Sequence, residues 1–110
     1  MRSGDSTVAG LLGNPWHSLA ELFQLSTHVR RQLPQVAAPC LVAHASDDDI
    51  ASVRNAELVL RGVRAPTELL LLEDSYHMIT IDKERRTLID RSARFFDAIA
   101  TGRAPVPVAA

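Results

Sequence analysis

Two short stretches of this sequence bring together residue types that can carry proton chemistry. The first is the aspartate triplet Asp47, Asp48 and Asp49, directly after an apolar run; the second is Asp74-Ser75-Tyr76-His77, directly after another. A histidine fixed by a carboxylate has a defined tautomer and a stabilised imidazolium, which is what a general base needs. Taken as residues alone, the same groups have a plainer reading, in which the aspartates form a solvated loop with a helix cap and the histidine lies at the surface. They also allow a metal reading. His44, Asp48, Asp74 and His77 would supply two imidazoles and carboxylates suited to Zn or Mn, and the bound ion would activate water against phosphoesters or activated esters. The spacing matches no recognised metal motif.

The elements that must position these groups follow from hydrophobic period and punctuation. Asn14-Pro15 opens a helix, with Ser18-x-x-Glu21 as an alternative capping box slightly later. Trp16, Leu19, Ala20 and Phe23 start a stripe that runs through Leu22, Leu25, Val29 and Leu33 until Pro34 ends it. Pro39 introduces the run Cys40-Leu41-Val42-Ala43-His44-Ala45, stopped by Ser46 and the aspartates, which reads as a strand buried on both faces. Ser52 or Asn55 starts a second helix, with Val53, Ala56, Leu58, Val59 and Leu60 as its apolar set and Gly62 just past its end. Residues 67–73 form the second strand, and a last helix runs over 83–100 with Leu88, Ile89, Ala93, Phe95, Phe96 and Ile99 apolar. The order α-β-α-β-α gives an α/β fold whose two strands are parallel and joined by a right-handed crossover, with both chemical loops after the strands' carboxyl ends. Trp16, Phe23, Phe95 and Phe96 are expected in the core. Segments 1–13 and 102–110 are read as flexible ends around one domain spanning 14–101.

At 110 residues, 46% hydrophobic and 23% charged with a formal net charge of −1, the chain has neither the composition of a disordered segment nor the basic surplus of a nucleic-acid binder. Apolar runs fall far short of the roughly 20 residues of a membrane span, and the start lacks a signal-peptide core, so a cytoplasmic location is expected. The single cysteine, Cys40, excludes an internal disulfide and reads as a structural thiol. His17 and His28 read as solvated or satisfied, and Arg30-Arg31 and Arg85-Arg86 as solvated helix faces.

The stretch P-C-L-V-A-H-A-S-D-D-D-I over residues 39–50 resembles the acid strand and loop of α/β-hydrolases, an apolar strand followed by H-G-x-x-D, with Ala45 in place of the usual glycine. Residues 75–82, S-Y-H-M-I-T-I-D, are similar to the S-x-H-[VM]-I-T-x-D segment around the catalytic histidine of bacterial carboxylesterases and monoacylglycerol lipases. The two matches cover roughly residues 39–99, and the resemblance implies that Asp48 is the triad acid and His77 the general base, in the family's Ser…Asp…His order, with no cofactor. The departure lies upstream. The family nucleophile sits on a G-x-S-x-G elbow, and no G-x-S-x-G occurs in this sequence. Ser6, Ser46 and Ser75 are the serines near plausible loops, and none sits on a strand-turn-helix elbow; Gly4-Asp5-Ser6-Thr7 has no apolar strand before it.

Three functional classes therefore stand. One is a truncated α/β-hydrolase-like protein that keeps the acid and histidine of an esterase triad without its serine. The second is the free-standing metal-dependent hydrolase outlined above, and the third is a non-enzymatic dimerising module. An unpaired apolar strand edge favours a homodimer that completes the sheet, whichever class holds.

Overall fold

The computed structural model describes residues 16–103, and the expected flexible segment 1–13 lies outside them, as does the tail from residue 104. The chain divides into two compact units, residues 1–31 and 32–110. The first holds all but the last residue of α1, which spans Trp16–Gln32. It begins at Trp16, directly after Pro15, so the later start at a Ser18–Glu21 capping box is not used. His17 and Glu21 instead face one another along the helix at 3.7 Å. No residue of α1 is buried, which corrects the core assignment of Trp16 and Phe23. An apolar stripe shows which face of a helix can be covered, and burial needs a surface to cover it.

The second unit opens with a 3-10 turn, Leu33–Gln35, built around Pro34, and then alternates β1 (Cys40–Ala45), α2 (Arg54–Gly62), β2 (Thr67–Leu72) and α3 (Arg85–Ala100). The strands pair in parallel, with Cys40 opposite Thr67 and Ala45 opposite Leu72, as the crossover through α2 requires. The ladder is extended at both ends by the Cys40 N–H donating to the Pro66 carbonyl and the Ser46 N–H donating to the Leu72 carbonyl, each at 3.0 Å. Glu73 is not part of β2. Ser46 takes the last strand carbonyl, and the chain turns immediately after it.

The core consists of Ala45, Ala56, Val63, Leu70, Leu72 and Phe95. Burial of β1 on both faces is not realised: Cys40 through His44 are half-buried and Ala45 alone is fully enclosed, because two strands and two short helices cannot cover both sides of a sheet. Phe96 is likewise misassigned to the core. Consecutive helical residues point about 100° apart, so with Phe95 buried Phe96 emerges 70% exposed, the two rings meeting edge to face at 5.8 Å. Ile89 is exposed for the same reason. At the sheet's other end Arg91 of α3 pairs with Glu68 of β2, tying the helix to the strand's first turn.

Gly62 is the last residue of α2 rather than the residue beyond it. A Cβ there would lie 2.6 Å from Leu33 Cδ1 and 2.9 Å from Leu33 Cβ, so its lack of a side chain is what lets the helix end sit against the 3-10 turn. Neither expected N-cap is used as such. Val53 occupies the cap position of α2, and the Ser52 hydroxyl accepts from the Arg54 N–H at a long 3.3 Å.

Candidate active site

The parallel register delivers Ala45 and Leu72 side by side, so the loops that follow them leave the sheet at one edge. Asp48 lies three residues beyond Ala45 and His77 five beyond Leu72, and the two side chains meet there. His77 Nδ1 is 2.9 Å from Asp48 Oδ2 and 3.2 Å from Oδ1. The carboxylate accepts, so Nδ1 carries the proton and Nε2 is left as the basic nitrogen; it has no hydrogen-bond partner among the described residues. The Asp48 side chain is 3% exposed and that of His77 is 41% exposed, an enclosed acid under an accessible base.

Asp48 is fixed by its own loop. Its Oδ1 accepts from the backbone N–H of Ile50 and of Ala51, each at 2.8 Å, folding residues 48–51 around the carboxylate. Enclosure by itself pushes the acid upward, yet the N–H of Ala51, the His77 imidazole and the N–H of Ile50 together hold it down at about 2, below the usual 3.8. Because the folded value lies below the unfolded one, the stability contributed by this contact is complete above about pH 3.8 and is lost as pH falls through about 2. Acid unfolding of Asp48→Asn should accordingly show a shallower loss across that window than the parent, measured by circular dichroism from pH 5 to 1.5.

His44 does not join the pair as an equal. Its Nε2 donates to the Ala51 carbonyl at 2.9 Å and stands 3.6 Å from Asp48 Oδ2, beyond hydrogen-bond range. Since a carbonyl only accepts, this nitrogen is protonated and cannot ligate a metal. Asp74 is turned to Lys83 at 3.3 Å. The quartet His44, Asp48, Asp74 and His77 is thus not brought together as a metal centre, and no group of three or more such side chains suited to a metal ion occurs among the described residues. Asp47 and Asp49 have no part in the pair.

Two carboxylates organise the histidine loop: Glu84, which the sequence did not single out, and Asp82, which closes the matched segment 75–82 and had no role assigned. Glu84 Oε2 accepts from the Asp74 N–H at 2.8 Å and from the Ser75 hydroxyl at 2.7 Å. Asp82 Oδ2 accepts from the Tyr76 N–H at 2.8 Å, and this bond, with a second from the Lys83 N–H to Oδ1, holds its pKa below the usual carboxylate range. Ser75 is 2% exposed and spends its hydroxyl on Glu84, which leaves it no role as a nucleophile in this arrangement. Ser46 contributes its backbone to the ladder, and Ser6 lies outside the described residues.

The sequence matches the serine aminopeptidase S33 family model over residues 11–84. It is 29% identical over 83 residues to the thermostable monoacylglycerol lipase of Bacillus sp. (strain H-257), covering 74% of this chain and 33% of the lipase. A solved structure from work on the metagenome-derived lipolytic enzymes LipS and LipT superposes with a TM-score of 0.60 at 33% identity, covering 62% of this chain and 28% of that one. The chain spans about a third of the length of these relatives. Among the described residues no helix is long and apolar enough to cross a membrane.

Proposed function

The chain belongs to the serine aminopeptidase S33 family of hydrolases, and on that premise we propose that Asp48 and His77 are the acid and general base of an esterase triad whose serine is not among these 110 residues. The observation that carries this reading is the pair itself: an enclosed carboxylate on Nδ1 and an unengaged Nε2 on the same ring. In the reaction Nε2 takes the proton of an attacking hydroxyl as its oxygen bonds to the ester carbonyl. It then returns that proton to the departing alcohol, while Asp48 keeps the ring oriented and balances the imidazolium. Acyl esters are the substrate class to which the lipolytic relatives point. The sheet of two strands leaves β1 with an edge that no strand covers among the described residues, as expected where a nucleophile-bearing layer, or a second copy of the chain, completes it.

Two assays on the purified 110-residue chain test the reading. A fluorophosphonate probe should leave every serine unlabelled, and p-nitrophenyl butyrate should be cleaved no faster than by an equal concentration of free imidazole. Stoichiometric labelling of any serine would place the nucleophile within the chain and overturn the proposal. Ester or phosphoester hydrolysis that disappears on chelation and returns with Zn or Mn would instead establish the metal-dependent alternative.

A further inference from the structure

Glu84 stands at the N-cap position of α3, where a carboxylate ordinarily satisfies the helix's own first N–H groups, yet it makes no such bond. Its Oε2 reaches back ten residues to the backbone of Asp74 and nine to the hydroxyl of Ser75, the latter enclosed where water cannot replace a lost partner. Both lie on the segment that leads from the end of β2 to His77. We propose that Glu84 is a positioning residue for the general base: through Asp74 and Ser75 it sets the height and direction at which His77 meets Asp48.

Several features distinguish this from ordinary loop bonding. Both bonds are charge-assisted and end on one oxygen, so a single rotamer of Glu84 fixes two consecutive residues. Asp82 seizes the next N–H, that of Tyr76, so three consecutive residues before His77 are tied to two carboxylates at the start of α3. The Lys83–Asp74 pair is exposed on both sides and adds little. On the acid side His44 acts in the same sense, holding the Ala51 carbonyl while the Ala51 N–H holds Asp48. The contacts that hold the dyad together therefore all lie within residues 44–84.

The proposal rests on the reading of His77 as base, and the test separates the two. In proton NMR of the 110-residue chain, a histidine Nδ1–H bonded to a carboxylate gives a downfield, slowly exchanging resonance. Its loss in Asp48→Asn assigns it to His77. In Glu84→Ala this proton should exchange with water at least roughly tenfold faster, because the loop loses both anchors. Glu84→Gln keeps an acceptor oxygen of the same reach and should stay within about twofold of the parent, a rescue that loss of general stability would not show. Absence of an Asp48-dependent resonance from the parent would defeat the reading of the site itself. A parent-like resonance in folded Glu84→Ala would defeat the positioning role alone. Should Glu84→Ala fail to fold, Ser75→Ala decides: it removes one anchor of the two, so faster exchange supports the role and unchanged exchange overturns it.

Discussion

Joined to the part of the Bacillus monoacylglycerol lipase outside the matched segment, this chain is expected to yield an ester hydrolase that His77→Ala silences and Asp48→Asn impairs by a smaller factor. The ordering follows from the roles. His77 moves the proton in both halves of the reaction, so its removal should cost roughly 10⁶-fold in kcat, whereas loss of the acid alone should cost roughly 10⁴-fold. Asp48→Asn keeps the size and the loop bonds to Ile50 and Ala51 through its carbonyl oxygen, but presents the ring with a neutral partner that can offer an N–H. The imidazole then has reason to protonate the other nitrogen, leaving Nε2 unable to accept. KM for p-nitrophenyl butyrate should change little in either variant, because neither side chain is assigned to substrate binding. His44→Ala should fall well short of both, since that ring touches the Ala51 carbonyl rather than the reacting atoms. Equal activity of the graft and its His77→Ala form would mean that the pair performs no proton transfer.

How much of this was legible depended on whether a residue's role was written locally. The bounds of β1 could be read because Pro39 and the aspartate triplet punctuate a six-residue apolar run, and β2 missed by one residue because Glu73 carries no local stop. That Asp48 and His77 would meet was legible from topology: parallel strands carry both loops to one edge, whatever lies between. Glu84 was not. A glutamate at the start of a helix reads as a cap, and only the return of the 74–77 loop, nine or ten residues back, gives it other work. Trp16, Phe23 and Phe96 failed in the opposite direction. Periodicity shows which face of a helix is apolar but not how far it is covered, and for Phe96 a sheet of two strands has little surface to lend.

That scarcity makes the few buried side chains unusually consequential, and Leu72→Ala should be the most damaging single substitution in the second unit. Leu72 is fully enclosed, whereas Leu71, next to it in the same strand, is 41% exposed, as alternation across a pleat demands. Truncating Leu72 removes its transfer energy and leaves a cavity, together worth about 2–5 kcal/mol. A domain of this size holds only about 5–15 kcal/mol in total. Leu71→Ala removes the same atoms from a side chain already near water, and should cost about 1 kcal/mol or less. Urea unfolding followed by circular dichroism would separate the two: a large drop in midpoint for Leu72→Ala and a small one for Leu71→Ala, with similar slopes. Equal drops would mean that β2 does not present these faces to core and solvent. The Leu72 carbonyl also receives the Ser46 N–H at the point where both chemical loops depart. A Leu72→Ala chain that remains folded should therefore lose the protected Nδ1–H of His77 before it loses its helices.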